Sequence, residues 1–208
     1  MEAITLKLQV YQILKSRIMD GTYPLGEKLN IDALCKELSV SNSPVREALT
    51  LLVTDHLVVM KPNTGAHVVS LEPDDYSDLT NAANIMLMGA YEFCRRTGRK
   101  ALLLSQLEEQ QLHLKQCVRE GDEKQRIQAI LLLDRCFVSA TENPQSITHF
   151  DHSLNLLFLA HVFNHRNRSI DWQYNIRRSR DLIDAVKTDQ VSLVWDILCE
   201  RTHVHLPQ

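Results

Sequence analysis

Apolar residues recur along the first 70 positions with two successive periods, helical and then strand-like. Leu6, Val10, Ile13, Leu14 and Ile18 fall three or four apart, which predicts a helix closed by Gly21, Pro24 and Gly26. A second, short helix is predicted after Asn30, whose side-chain oxygen suits the unpaired N–H groups of a first turn; it places Ile31, Leu34 and Leu38 on one side and stops near Ser39-Val40. The third opens with Ser43 as cap and Pro44 at the first helical position, where a missing N–H is harmless, and directs Val45, Ala48, Leu49 and Leu52 to a core. Its other face is polar: Ser43, Arg46, Glu47 and Thr50. Leu57-Val58-Val59-Met60 and Ala66-His67-Val68-Val69 then flank Pro62-Asn63-Thr64-Gly65, the pattern of a β-hairpin around a turn.

Beyond the acidic, Pro-containing junction Leu71-Glu72-Pro73-Asp74-Asp75 the periodicity is helical throughout. Six segments are predicted, at 74–96, 99–120, 123–142, 145–164, 167–187 and 189–206, with short polar breaks that suit antiparallel neighbours. The predicted fold is mainly α, with domains at 1–71 and 72–208: an N-terminal winged helix-turn-helix with a small hairpin wing, then an all-α antiparallel bundle. The first bundle helix sets Leu79, Ala82, Met86, Ala90 and Phe93 on one side and adds Ile85 and Met88 elsewhere. So wide an apolar circumference needs two covers. One is the helix's own bundle; the other is a second subunit, an apolar ligand or more of the same domain.

Composition narrows the function classes. A chain of 208 residues, 44% hydrophobic, is globular in character, and no apolar run approaches membrane-spanning length. The charged N-terminus has no secretory pattern, so the expected address is cytoplasmic, without a membrane partner. Five scattered cysteines with no C-x-x-C spacing argue against a disulfide framework and a Cys-type zinc site. No G-x-S-x-G, P-loop, H-E-x-x-H or dinucleotide fingerprint is present; no enzyme, catalytic residue or cofactor is therefore expected.

A net charge of -3 supplies no global attraction to nucleic acid, and residues 1–70 carry equal numbers of basic and acidic side chains. The case for DNA rests on layout. Three helices and a hairpin within about 70 residues place the last helix in a major groove, provided that it offers short polar or cationic side chains outward. Ser43, Arg46 and Thr50 fit. The Arg46 fork suits the paired acceptors of guanine, the two hydroxyls suit phosphate, and Lys61, Thr64 and Gly65 would set a wing tip against backbone or minor groove. Three-helix subdomains also dock proteins, so layout alone leaves that alternative open.

The residues themselves carry a resemblance. With G-x-Y-x-x-G at 21–26, VSNSPVREAL at 40–49 and KPNTG at 61–65, the stretch Val10–Leu71 resembles the DNA-binding domain of GntR-family bacterial transcription regulators. The helical remainder, including LLLDRCFVSATEN at 131–143, is similar to the FCD effector-binding domain of the FadR subfamily. The resemblance implies a homodimer on a pseudo-palindromic double-stranded operator, acting as a repressor more often than an activator, with a small-molecule effector such as an organic acid or acyl compound in the helical domain. The chain departs from the family at Asn42, where members usually have Arg; an Asn can still bond adenine or phosphate. FCD domains often hold a divalent metal through an Asp, a His four residues on and two further His. Here those positions carry Asp134, Val138, Ser179 and a residue near Arg201, with His203 or His205 within reach of a slipped register. One carboxylate does not hold a transition metal, so no metal is expected and these residues become an effector-pocket set. The same departures support an alternative, a constitutive DNA-binding dimer with a decayed, metal-free pocket. His149 with His152, and His161 with His165, have helix-face spacing that coincidence among nine histidines also explains.

Overall fold

A computed structural model describes residues 5–72, 74–165 and 170–203, the side chains of 164, 165 and 201–203 excepted. The chain divides into two compact units, Met1–Glu72 and Pro73–Gln208. The first is a winged helix-turn-helix: α1 (Leu6–Met19), α2 (Ile31–Leu38), α3 (Asn42–Thr54), and a hairpin of β1 (Val58–Lys61) and β2 (Gly65–Val68). The second is helical: α4 (Asp75–Arg96), α5 (Lys100–Glu120), α6 (Glu123–Ser139), α7 (Pro144–His165), α8 (Trp172–Lys187) and α9 (Val191–His203).

In the first unit one apolar stripe from each helix converges on the sheet. Helix α1 buries Val10, Leu14 and Ile18, and α3 buries Val45, Ala48, Leu49 and Leu52. Leu6 and Ile13, expected in the same stripe, are 50% and 40% exposed, because the contact with α3 uses only the centre of the α1 face. At eight residues α2 is too short to persist alone. Packing of Leu34 and an Asn30 cap, whose side chain accepts from the Ala33 N–H at 3.1 Å, hold it. Ser39, at φ 54°, ends α2 in the left-handed region, and the Val40 N–H reaches back to the Cys35 carbonyl at 3.0 Å. The strands pair antiparallel from Val58↔Val68 to Lys61↔Gly65. Bonds from Leu29 N–H to the Ala66 carbonyl (2.9 Å) and from Val68 N–H to the Glu27 carbonyl (2.8 Å) seat the α1–α2 connection on the other edge of β2.

The start of α3 needs a correction. Its N-cap is Ser41, not Ser43, and Asn42 is its first residue. Pro44 is therefore third in the helix. The N–H groups of the cap and the first three residues all lack an intrahelical acceptor, so proline is as harmless there as at the first position. The shift brings Asn42 onto the helix.

In the second unit α5 packs on α6 and α8, α4 on α6, α7 and α9, and α8 on α9. Tyr91, Phe137, Phe150, Leu107 and Leu198 are among the fully buried side chains. A capping box between Asp122 and Gln125 opens α6, and Asp171 caps α8. Helix α6 ends at Ser139 rather than 142, where Glu142 turns left-handed at φ 54°. Helix α8 begins at Trp172, not 167, because the Asp171 cap sets its start. At the α8–α9 corner Asp189 accepts from Arg95 Nε and NH2 (2.8 and 3.0 Å) and from the Tyr91 hydroxyl (3.2 Å). The Arg95 guanidinium holds the Asp189 carboxyl down at about 2. Burial, then the Asp189 charge, push the Tyr91 hydroxyl up to about 12.

The packed face of α4 also differs from the one expected. It consists of Thr80, Ala83, Asn84, Leu87, Ala90, Tyr91 and Cys94, whereas Ala82, Ile85 and Phe93 are exposed. Two polar residues enter this face because their groups are satisfied there. The Thr80 hydroxyl donates to the Tyr76 carbonyl at 2.7 Å, and the Asn84 amide to the Leu198 carbonyl at 3.1 Å.

Candidate nucleic-acid interface

Helix α3 is two-sided. Val45, Ala48, Leu49 and Leu52, each no more than 2% exposed, fix its inner side, while Asn42, Ser43, Arg46, Glu47 and Thr50 lie exposed on the outer one. The ends of the outer row are tethered within the helix. Arg46 Nε donates to Asn42 Oδ1, the Ser43 hydroxyl donates to Glu47 at 3.0 Å, and the Thr50 hydroxyl donates to the Arg46 carbonyl at 3.0 Å. The first of these bonds leaves Arg46 its two terminal nitrogens, sufficient for the paired acceptors of guanine. It also occupies the Asn42 oxygen that bidentate reading of adenine requires, so Asn42 in this conformation offers only N–H donors. Ser43 and Thr50 would have to rotate to donate to phosphate.

The C-terminal end of α3 is clamped to α1 by a network that local sequence patterns do not reveal. The Tyr11 hydroxyl donates to Asp55, and Lys15 Nζ donates both to Tyr11 (3.0 Å) and to Asp55 (3.1 Å). Burial followed by the Asp55 hydrogen bond raises the Tyr11 hydroxyl above its ordinary range; burial alone would lower Lys15, but hydrogen bonds to Tyr11 and Asp55 carry it higher instead. At the wing, Lys61 and Thr64 are exposed, and the Thr64 N–H bonds the Lys61 carbonyl at 3.3 Å. Asn63 and Gly65 both take positive φ, 62° and 89°, which closes the loop at three residues and makes Gly65 the last rung of the ladder instead of a turn residue.

The effector-pocket set divides in the structure. Asp134 and Ser179 line one cavity of about 20 Å³ together with Asn175, Arg178 and apolar neighbours. That is room for about one water. The Ser179 hydroxyl donates to the Ile176 carbonyl at 2.8 Å and accepts from Gln111 Nε2 at 3.3 Å, so it is committed to its own helix and to α5. Arg178 donates twice to the Ile197 carbonyl, at 3.0 and 2.7 Å. Burial, then the Asp134 charge, push the neighbouring Cys136 thiol up to about 12. Val138 faces a different, open cavity of about 610 Å³ with Met86, Gly89, Phe93, Ser146 and His149. The side chain of Arg201, and those of His165, His203 and His205, lie outside the described residues. His161 packs edge-on against Tyr76 at 5.1 Å. A divalent metal does not fit the Asp134 position: Val138 has no donor, Ser179 is engaged, and the Arg178 cation shares the cavity. Among the described residues no group of three or more His, Cys, Asp or Glu is placed to hold a metal ion, and no helix is long and apolar enough to cross a membrane.

Residues 6–68 match the family model for bacterial regulatory proteins of the gntR family. The HTH-type transcriptional regulator YdhC of Bacillus subtilis is 39% identical over 72 residues, 35% of this chain and 32% of YdhC. The HTH-type transcriptional repressor GlaR of Escherichia coli is 33% identical over 110 residues, 49% of this chain and 50% of GlaR. The chain thus spans between about a third and half of these two relatives, both of which are regulators rather than enzymes. A GntR transcriptional regulator structure from Rhodococcus sp. RHA1 shares the fold over 95% of this chain and 93% of its own, with a TM-score of 0.72 and 20% identity. Matched by sequence over α1 to β2 and by fold over both units, the chain carries at residues 6–68 the winged helix-turn-helix of the gntR family of bacterial regulatory proteins.

Proposed function

We propose that this protein is a DNA-binding transcription regulator in which two copies each place α3 in the major groove of a pseudo-palindromic operator, Arg46 reads guanine, and Asn42, Ser43, Thr50, Lys61, Thr64 and Gly65 set position on the backbone. One observation carries the reading: Arg46 stands exposed, with its fork directed by Asn42, on a helix whose opposite side is locked into the core. Repression by occlusion follows the precedent of GlaR. The FCD-like helical unit would supply the second subunit and the sensory half, coupling effector to operator through different populations of two states. Selection from a randomised duplex pool with the full chain tests the proposal. The expected result is a two-fold symmetric site with a guanine in each half; recovery of unselected sequence would refute it.

A second reading draws on the size of the Asp134 cavity. Space for about one water, with the Ser179 hydroxyl already engaged, favours a constitutive DNA-binding dimer whose family-type pocket has closed. Thermal-shift and DNA-retardation assays with organic acids, sugar acids and acyl-CoAs separate the two. A compound that raises Tm and alters retardation favours the sensor, and uniform silence favours the closed pocket.

A further inference from the structure

The outward face of α4 lies opposite its packed face, and its order of residues is self-complementary. Along the outer line run Asp78, Ala82, Ile85, Gly89, Phe93 and Arg96, with Asn81 and Glu92 on one flank. Ile85 is 66% and Phe93 42% exposed, large values for apolar residues in the middle of a helix. The acidic first turn (Asp75, Asp78) and basic last turn (Arg95, Arg96) leave opposite charges at the two ends. Laid antiparallel on itself about a two-fold axis near position 87, this face matches term by term. Asp78 meets Arg96, Ile85 meets Gly89, Ala82 meets Phe93, and Asn81 meets Glu92, so every large side chain opposes a small one and every charge opposes an opposite charge or an amide. A Cβ added at Gly89 meets nothing within 4 Å in its own chain, which leaves that position open to a knob from outside. The cavity of about 610 Å³ beside Met86, Gly89 and Phe93 continues the strip toward Val138 and His149.

We propose that the α4 face binds a second copy of this chain, α4 against α4 in antiparallel register centred near Leu87, with Ile85 of each copy seated on Gly89 of the other. Two-fold symmetry demands this kind of self-matching surface. Leu112 supplies the contrast: it is equally exposed at 66%, but stands alone on α5 among polar neighbours such as Glu108, Glu109 and Gln116. The proposal rests on the reading of the protein as a dimer and adds where the two copies meet.

Sedimentation equilibrium on the full chain tests it, with circular dichroism to verify folding. Ile85→Glu is expected to raise the dimer dissociation constant by on the order of a hundredfold or more, the penalty of charge at an interface centre, while Leu112→Glu leaves it unchanged. Gly89→Leu separates interface from fold. It adds a better helix former to an exposed position and should raise Tm of the monomer, yet it fills the seat of the partner's Ile85 and should weaken dimerisation. Asp78→Arg and Arg96→Asp should each weaken association, and the double variant should recover it. A dimeric wild type that Ile85→Glu and Gly89→Leu leave intact overturns the assigned face alone. A monomeric wild type overturns the dimer reading as well, and an acyl compound that stabilises such a monomer, but not its Ile85→Glu variant, would assign the strip to an apolar ligand.

Discussion

Replacing Arg46 with alanine removes the base-reading fork and little else. Arg46 is exposed, its printed side-chain bond is to Asn42 on the same face, and the residues that fix α3, Val45, Ala48, Leu49 and Leu52, lie on the other side. Folding stability should therefore change by no more than about 0.5 kcal/mol. Loss of a bidentate guanine contact weakens binding by about 1–3 kcal/mol per half-site, or about 5- to 150-fold, and a symmetric dimer incurs the loss twice. Fluorescence-anisotropy titrations of a selected duplex and a scrambled one, each at two salt concentrations, separate the contributions. The expected outcome is a large loss on the selected duplex, a small one on the scrambled duplex, and an unchanged Tm. An equal loss on both, with a salt slope smaller by about 0.9 per lost contact, would move Arg46 from base to phosphate. No loss on either would remove it from the interface.

Other variants test the supports of that helix and of the bundle. Asn42→Ala frees the Arg46 fork to wander, so it should broaden base preference at the guanine position while leaving binding to scrambled duplex unchanged, a contrast that site selection reads directly. Tyr11→Phe removes the hydroxyl that joins Asp55 to Lys15 and should destabilise the first unit by about 1–2 kcal/mol, measurable by urea denaturation; an unchanged midpoint would show that the α1–α3 clamp contributes nothing. Asp189 is held well below its unfolded pKa near 3.9, so its stabilising effect is complete above that value and disappears as pH falls toward about 2. Asp189→Asn should lower Tm near neutral pH and flatten the loss of stability between about pH 4 and pH 2; an unchanged acid profile would count against the Arg95 pairing. Metal analysis of the purified protein should find no stoichiometric zinc or nickel, with or without Asp134→Asn, and finding either would overturn the reading of the Asp134 cavity.

The DNA-reading half was legible because its signals are local. Caps, left-handed turn residues and a stripe at helical spacing each involve neighbours a few positions apart, and they place α1 to β2 within a residue or two. The single cap error, Ser43 for Ser41, arises because proline fits any of the first three helical positions. What sequence could not give is pairing across distance. The clamp of Asp55 on Tyr11 joins residues 44 apart, and the bond from Gln111 to Ser179 spans 68. The face of α4 was misassigned for a related reason. Apolar residues occupy both sides of this helix, and Thr80 and Asn84 enter the core only because acceptors at Tyr76 and Leu198 await them. Resemblance placed Asp134 and Ser179 at one site, and the structure does bring them together, but the size of the space between them depends on the packing of Leu114, Ile130 and Leu182 and is not written in any motif.

Selection of duplexes by the full-length wild type, followed by titration of the recovered site, probes the outward face of α3 most directly. A two-fold symmetric sequence with a guanine in each half, bound at least about a thousandfold more tightly than scrambled duplex at physiological salt, is the predicted result. Equal affinity for every duplex, or none for any, would contradict it.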